Sequence, residues 1–194
     1  MKLGIVLLAG GEGRRIGGDK PLRMLGGETL AARVLAAARG WSDEIRVAVR
    51  GGGLAAAFGV AALEDDPAIE GPLAGIASAL RDAAARDLDS VLTLPCDTPF
   101  LPADLPDRLS AAIEGKLAAL ASSAGHLHPT CALWASGALA ALPAYLATGR
   151  RSIRSFAEQV GHSVAEWGTE PFDPFFNIND AADLAKAEAW LRSR

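Results

Sequence analysis

The chain has 194 residues, of which 50% are hydrophobic and 22% are charged. This balance predicts one globular domain spanning residues 1–194 and excludes wholesale disorder. Its 19 Lys and Arg residues against 23 Asp and Glu residues give a net charge of −4, which argues against nucleic-acid binding because proteins of that class usually carry a basic excess.

Along the first half of the chain, short apolar runs alternate with amphipathic stretches. Residues 2–9 are apolar and end in glycines, which is typical of a fully buried strand. Residues 29–38 carry apolar side chains at helical spacing. The same reasoning predicts strands over 2–9, 44–49, 90–94 and 117–122, and helices over 29–38, 72–85 and 104–114.

The second half alternates less regularly. We predict strands over 130–134 and 163–167, and helices over 137–147 (broken at Pro143), 152–159 and 180–192, the last with Asn179 as its N-cap. Strands alternating with helices indicate an α/β fold with a mostly parallel sheet and helices on both faces. Ligands bind such sheets beyond the carboxyl ends of the strands.

No predicted segment suits a membrane or a secretory leader. The longest N-terminal apolar run covers residues 5–9, whereas a membrane span needs about 20 apolar residues. We therefore expect a cytoplasmic protein without a membrane partner. Cys96 and Cys131 are the only cysteines and form no CxxC motif, so neither a disulfide framework nor a zinc site is predicted.

A glycine-rich loop follows the first predicted strand. Five of the nine residues from 10 to 18 are glycines, and glycine lets backbone N–H groups approach an anion closely. Arg14 or Arg15, together with Lys20, would add the positive charge that a polyphosphate needs. The loop matches neither the P-loop nor the dinucleotide-binding pattern. A phosphate site is favoured over a flexible loop with solvated charges.

Two acidic positions also follow predicted strands, the second of them a further short strand that ends before Glu64. Asp97 comes just after the strand over 90–94 and is flanked by Pro95 and Pro99, so its carboxylate would be held rigidly enough to bind Mg²⁺. The alternative is a turn cap. Asp65 lies in an acidic turn, where its carboxylate would be solvated unless a ligand donates hydrogen bonds to it.

The segment from Leu8 to Lys20, the Pro95-Cys96-Asp97 block and the Asn177-Ile178-Asn179 block together resemble the molybdenum cofactor guanylyltransferase (MobA) family. The match runs from Leu8 to Asp183. It implies a Rossmann-like, GT-A-like nucleotidyltransferase fold. Cytidylyl-transferring relatives have Ala in place of Gly10, so this glycine indicates guanosine. Many members carry one more residue before the Asp19-Lys20 pair, a departure that bears on the reach of Lys20.

The resemblance implies a division of roles along the chain, with residues 1–100 mainly binding GTP and Mg²⁺ and residues 101–194 mainly binding Mo-molybdopterin. Arg15, Lys20 and Asp97 would be catalytic, and Asp97 would also hold Mg²⁺. The residues implied in GTP binding are Leu8, Ala9, Gly10, Gly11, Lys20, Asp65, Gly71 and Asp97. Within this set, Asp65 would accept hydrogen bonds either from guanine or from ribose hydroxyls.

Arg151, Asn177 and Asn179 would bind the pterin substrate. For Arg151 the alternative is a solvated basic turn, and for Asn179 it is a purely helix-capping role. His128 begins a stretch that resembles the family's His-Pro-x-x-x-Leu-Trp strand near the acceptor. His126, two residues earlier, would share one face with His128 if the strand extends that far. We interpret them as structural or substrate-contacting side chains, since no third metal ligand is evident.

The predicted reaction is transfer of GMP from GTP to Mo-molybdopterin, which yields pyrophosphate and the guanine dinucleotide cofactor. The alternatives are a molybdopterin cytidylyltransferase, a sugar-phosphate nucleotidyltransferase, and a non-enzymatic module that binds a nucleotide and delivers the cofactor. We expect a monomer that makes transient contacts with molybdoenzymes or their chaperones.

Overall fold

A computed structural model describes residues 2–9, 20–50 and 55–193. Gly10, Gly11 and Arg15 lie outside the described residues. The strands are β1 (Leu3–Leu8), β2 (Met24–Leu25), β3 (Glu28–Thr29), β4 (Ile45–Val49), β5 (Ala61–Glu64), β6 (Ser90–Pro95), β7 (Ala118–Ser123), β8 (His126–Ala135) and β9 (His162–Trp167). The α-helices are α1 (Leu30–Arg39), α2 (Leu73–Ala85), α3 (Leu105–Ala112), α4 (Leu142–Ala147), α5 (Ile153–Val160) and α6 (Ala181–Arg192).

Seven of these strands form one sheet in the order β5-β4-β1-β6-β8-β7-β9. Strand β8 runs antiparallel to both of its neighbours, and the other pairs are parallel. The carboxyl ends of β1, β4, β5, β6, β7 and β9 therefore meet at one edge of the sheet. The prediction of a mostly parallel α/β sheet is confirmed.

Apolar side chains pack against both faces of the sheet. Ile5 and Leu7 of β1 belong to one buried cluster, which includes Val34 of α1. Val6 points to the other face because successive strand residues alternate, and it packs in a second cluster with Leu80 of α2. Helices α1 and α3 cover the first face, whereas α2, α4 and α5 cover the second. The predicted placement of helices on both faces is confirmed.

Two predicted elements differ from those of the structure. The strand predicted over 130–134 extends from His126 to Ala135, because β7 pairs with it along nearly its whole length. The helix predicted over 137–147 is a 3-10 helix (Ser136–Ala141) followed by α4, whose first turn contains Pro143. A proline there loses no helical hydrogen bond. A small antiparallel hairpin of β2 and β3 is present in addition to the predicted elements.

The N-cap of α6 is Asp180, so the prediction that Asn179 caps this helix is wrong. Asp180 Oδ1 accepts a hydrogen bond from the backbone N–H of Asp183 at 2.9 Å, and Asp183 in turn accepts from the backbone N–H of Asn179 at 2.8 Å. These reciprocal bonds satisfy the N–H groups at the helix start. The side chain of Asn179 is thereby left to bond elsewhere.

Across the described residues, every helix is too short or too polar to cross a bilayer.

Candidate active site

The carboxyl ends of β1 and β6 lie side by side and form a small pocket. Leu8 is in register with Pro95 across the parallel pair. A cavity of about 60 Å³ opens there, and its walls include Leu8, Ala9, Lys20 and Asp97. Four of the residues that the resemblance implies in nucleotide binding are thus brought together at the edge where α/β sheets bind ligands.

Lys20 links two segments that are distant in sequence, those of Asp97 and Asn179, at this pocket. Its ammonium Nζ donates to Asp97 Oδ2 at 2.5 Å and to Asn179 Oδ1 at 2.8 Å. The side chains of Lys20 and Asp97 are only 16% and 22% exposed, so the ion pair is shielded from water and from salt more than a surface pair would be. A cation therefore already sits between a carboxylate and an amide oxygen.

The segment that carries Asn177 and Asn179 is anchored next to Asp97. The backbone N–H of Ile178 donates to the carbonyl of Asp97 at 3.0 Å, and the Ile178 side chain is buried beside Leu25 and Leu30. Because side chains alternate along an extended segment, burying Ile178 turns both asparagines outward. This alternation explains why the Asn-x-Asn block presents two amides to one site.

Thr98 fixes Asn177 and was not singled out by the sequence analysis. Its hydroxyl donates to Asn177 Oδ1 at 2.5 Å and lies 3.4 Å from Asp97 Oδ1. The Thr98 side chain is buried, so the Asn177 amide is held with its NH₂ group directed away from Thr98. The position of Thr98 between Asp97 and Pro99 was the signal available in the sequence.

Asp65 and its neighbour Asp66 have different environments. Asp66 pairs with Arg81 at 2.9 Å and accepts from the backbone N–H of Ala68, which lowers its pKa. Asp65 is half-buried, and its Oδ1 atom is buried without a hydrogen-bond partner. Burial raises the pKa of Asp65, an effect that the charge of Arg50 partly opposes. A solvated acidic turn therefore describes neither carboxylate, since Asp66 is ion-paired and Asp65 Oδ1 is buried.

Gly71 and Gly75 surround the start of α2. Gly71 has a φ of +72°, a left-handed conformation that glycine adopts without strain. A Cβ at Gly75 would lie 2.8 Å from Leu8 Cδ2 and 3.6 Å from Asp65 Oδ1. Gly75 thus lets α2 pack closely against both Leu8 and the unpartnered carboxylate.

Arg151 is not joined to the Lys20–Asp97–Asn179 group in the described structure. Its Nη1 donates to the carbonyls of Leu146 and Arg150, at 3.1 and 2.8 Å. The guanidinium therefore satisfies carbonyl groups near the end of α4, where a cation also complements the helix dipole. Its role in pterin binding stays a prediction.

His128 and Cys96 are held by packing at the same edge of the sheet. His128 stacks on Phe175 with ring centroids 4.8 Å apart, and its Nε2 lies 2.8 Å from Ser123 Oγ. Burial lowers the pKa of His128 and raises that of the Cys96 thiol. A neutral thiol is a poor nucleophile, which agrees with the interpretation of Cys96 as a small buried residue.

Oxygen atoms near Lys20 are suitable ligands for a hard divalent cation. The described residues contain no group of three or more His, Cys, Asp or Glu side chains arranged to hold a metal by themselves. Mg²⁺, however, is commonly held by one or two carboxylates together with substrate phosphates. The Asp97 carboxylate and the side-chain amide oxygen Oδ1 of Asn179 fit that type of site, and both already contact the Lys20 ammonium.

Residues 5–164 match the sequence profile of the MobA-like NTP transferase domain. The chain is 40% identical over 194 residues to a molybdenum cofactor guanylyltransferase of Cereibacter sphaeroides, covering 99% of this chain and 98% of the relative. It is 41% identical over 188 residues to one of Acidiphilium cryptum, covering 95% and 93% of the two chains.

The fold is similar to those of solved nucleotidyltransferases. The molybdopterin-guanine dinucleotide biosynthesis protein A of Archaeoglobus fulgidus superposes with a TM-score of 0.77 at 26% identity, over 98% of this chain and 100% of that one. The 2-C-methyl-D-erythritol 4-phosphate cytidylyltransferase of Thermus thermophilus superposes with a TM-score of 0.71 at 23% identity, over 99% and 98%, which supports the fold alone. From the profile match and from relatives that align over almost its full length, the chain belongs to the MobA-like NTP transferase family.

Proposed function

We propose that this protein transfers GMP from GTP to Mo-molybdopterin, releasing pyrophosphate and forming the guanine dinucleotide cofactor. The names of its close relatives support this reaction. The structural observation that carries the proposal is the contact of Lys20 with both Asp97 and Asn179. A cation, a carboxylate and an amide from distant parts of the chain converge where a triphosphate would meet its acceptor.

In the proposed reaction, an oxygen of the pterin's terminal phosphate attacks the α-phosphorus of GTP. The new P–O bond forms as the bond between the α-phosphorus and its bridging oxygen breaks, and the electron pair leaves with pyrophosphate. A phosphate monoester is anionic at neutral pH, so the attack requires no strong general base. Positioning and charge neutralisation would supply most of the rate enhancement.

Lys20 would move its hydrogen bonds from Asp97 and Asn179 to phosphate oxygens when GTP binds. Asp97, with the side-chain amide oxygen Oδ1 of Asn179 beside it, would hold Mg²⁺. When bound, this ion supplies charge neutralisation on the phosphate oxygens. Leu8 and Ala9 would contribute the wall of the phosphate pocket. The resemblance assigns GTP binding to Gly10 and Gly11 and a catalytic role to Arg15. Gly71 would let the chain turn tightly before α2.

The acceptor side would include Asn177 and Asn179, whose amides offer both donors and acceptors to a polar heterocycle, and Arg151 for an anionic group. Asn179 contacts Lys20 in the free protein. The acceptor and donor sites would therefore share a boundary at this residue, rather than divide cleanly between residues 1–100 and 101–194.

Calorimetric titration with GTP, CTP and ATP, each with and without Mg²⁺, tests the nucleotide specificity. We expect Mg²⁺-dependent binding of GTP that is at least tenfold tighter than binding of CTP or ATP. A preference for CTP would favour a cytidylyltransferase with the same fold. Binding without turnover in the presence of Mo-molybdopterin would favour a cofactor-delivery module.

Asp97→Asn tests the metal assignment. The substitution keeps the shape of the side chain but removes the charge, so pyrophosphate release should fall by about a hundredfold or more while the thermal unfolding profile keeps its cooperativity. Asp107→Asn, in the exposed first turn of α3, is the matched control and should retain the wild-type rate. A Mg²⁺-dependent rate near that of the wild type in Asp97→Asn would exclude Asp97 as the essential ligand.

A further inference from the structure

An open depression lies at the carboxyl ends of β4 and β5, away from the Lys20–Asp97 pocket. Arg50, Glu64, Asp65 and Pro67 line it. Val49 and Glu64 are in register across the parallel strand pair, so the residues that follow them, Arg50 and Asp65, emerge side by side. Arg50 directly follows the strand predicted over 44–49 and is not among the predicted site residues.

The Asp65 carboxylate lacks hydrogen-bond donors within the described structure. Its backbone N–H is fixed to the carbonyl of Val49 at 2.9 Å, but Oδ1 is buried without a partner. Buried acceptors are nearly always satisfied in folded proteins. Because Oδ1 is buried, N–H or O–H groups of a ligand in the depression would satisfy it once the carboxylate turns about its Cβ–Cγ bond.

The Arg50 guanidinium makes one hydrogen bond within the described structure. Its Nη2 donates to the carbonyl of Ile69 at 3.2 Å, and its other N–H groups make no hydrogen bond to the described residues. Burial raises the pKa of Asp65, and Arg50 lies close enough for its charge to oppose that rise. The two side chains are nevertheless not hydrogen-bonded to each other. One depression thus presents an acceptor pair and a planar donor group at the same time.

The spacing along the sheet suits an extended nucleotide. Strands β5, β4, β1 and β6 are consecutive in the sheet, and neighbouring strands lie about 4.8 Å apart. The carboxyl end of β5 is therefore roughly 14 Å from that of β6, where Asp97 lies. With the phosphates at Lys20 and Asp97, the base rather than the ribose would reach Arg50 and Asp65.

We propose that Arg50 and Asp65 read two different edges of a guanine base, so that Arg50 is a specificity-determining residue; this inference rests on the proposed use of GTP. Guanine would present adjacent N1–H and N2–H donors to the two oxygens of the Asp65 carboxylate after that rotation. Its O6 and N7 acceptors suit a bidentate arginine. Adenine and cytosine each place an acceptor where guanine has N1–H, and that acceptor would face the carboxylate.

Binding of GTP analogues tests each edge separately. The ligands are GTP, inosine triphosphate (no 2-amino group), 7-deaza-GTP (no N7 acceptor) and 2′,3′-dideoxy-GTP (no ribose hydroxyls). The proteins are the wild type, Arg50→Gln, Asp65→Asn and the control Arg81→Gln, which removes a neighbouring arginine paired with Asp66. Dissociation constants are measured by calorimetry, and folding is checked by thermal unfolding.

We expect the wild type to bind 7-deaza-GTP and inosine triphosphate about tenfold more weakly than GTP. Arg50→Gln should weaken GTP binding about tenfold and abolish the preference for GTP over 7-deaza-GTP. Asp65→Asn should abolish the preference for GTP over inosine triphosphate. Arg81→Gln should behave as the wild type. If Arg50→Gln unfolds, Arg50→Lys keeps the charge without the bidentate geometry and should lose the same preference.

Other outcomes overturn the proposal in distinguishable ways. If the wild type prefers GTP over CTP and ATP but Arg50→Gln keeps the preference for GTP over 7-deaza-GTP, Arg50 does not read the base, while the proposed function stands. If Asp65→Asn instead abolishes a preference for GTP over 2′,3′-dideoxy-GTP, Asp65 binds the ribose. A wild type without any preference for GTP contradicts the proposed function, and with it this inference.

Discussion

At the scale of single residues, Lys20 has a structural contact in the free protein and a proposed role in phosphate binding. The Lys20 ammonium holds Asp97 and Asn179 together before any substrate arrives. Charge-assisted hydrogen bonds of this kind are stronger than neutral ones. The site is therefore pre-organised for a cation between these oxygens, and phosphate binding must compete with bonds that already exist.

Lys20→Ala should reduce the rate of GMP transfer at saturating GTP by about a hundredfold, because it removes a positive charge from the developing pyrophosphate. The exposed Lys116→Ala is the control and should leave the rate unchanged. The measurement is pyrophosphate release with Mo-molybdopterin as acceptor. An unaltered rate in Lys20→Ala would remove this ammonium from the mechanism.

Asp65→Asn should stabilise the free protein by roughly 1 kcal/mol, since an amide in place of an unpartnered buried carboxylate lowers the desolvation penalty. Burial raises the pKa of Asp65 above its ordinary value. The wild type therefore loses stability as pH rises from that ordinary value through the raised pKa of the folded state. The difference in stability between variant and wild type should be largest at neutral pH and shrink in acid. Chemical denaturation at pH 3.5 and pH 7 measures it; an equal difference at both pH values would contradict the argument.

At the scale of elements, an aromatic group holds the segment that carries the two asparagines. Phe172 packs edge-to-face on Phe100 and Phe176, with centroids 5.0 and 5.1 Å away, and stacks on Trp190 of α6 at 5.2 Å. The segment between β9 and α6 has no strand of its own. Its position beside Asp97 therefore depends on these ring contacts and on the buried Ile178.

Phe172→Ala should destabilise the fold by about 2 kcal/mol, which is less than the same substitution costs at a fully buried position. It should also raise KM for the pterin substrate several-fold, with a smaller effect on GTP binding. Phe156→Ala is the control, because Phe156 belongs to α5 and stacks on Trp134 in the core. It should destabilise the fold at least as much without changing KM in assays run below its unfolding temperature. A raised KM in both variants would mean that stability, rather than positioning, is responsible.

At the scale of the whole molecule, the sheet brings sequence-distant groups to one edge. Lys20 and Asn179 are separated by 159 positions along the chain, and Asp97 lies between them. A ligand that spans this edge should therefore stabilise the whole fold and not one element alone. The expected stabilisation follows from mass action, since the ligand binds the native state.

GTP with Mg²⁺ at about a hundred times its dissociation constant should stabilise the protein by about 2.7 kcal/mol, which for a chain of this length corresponds to a rise in Tm of roughly 5–10 °C. CTP and ATP at the same concentration should raise Tm much less. Differential scanning calorimetry measures the shift. An equal shift with all three nucleotides would indicate binding through the phosphates alone.

Local patterns were sufficient for most elements of this fold. The apolar runs predicted β1, β4, β6 and β7 within one or two residues of their ends, and Thr29 and Ser152 cap α1 and α5 as helix-start residues should. The hairpin of β2 and β3 escaped prediction because strands of two residues each have too short a pattern. The full length of β8 was missed because its first residues are polar and gain their strand geometry from pairing with β7.

The sequence by itself determined the α/β class, the family resemblance and the position of Asp97 after a strand, because these depend on local periodicity and short motifs. Only the tertiary structure decided that Asp180 rather than Asn179 caps α6, that Asn179 and Lys20 meet, and that Asp65 is unpartnered beside Arg50. Those facts depend on strand order and on which atoms are buried. Contacts between residues far apart in the chain follow from the packing of the whole sheet, and no local pattern encodes them.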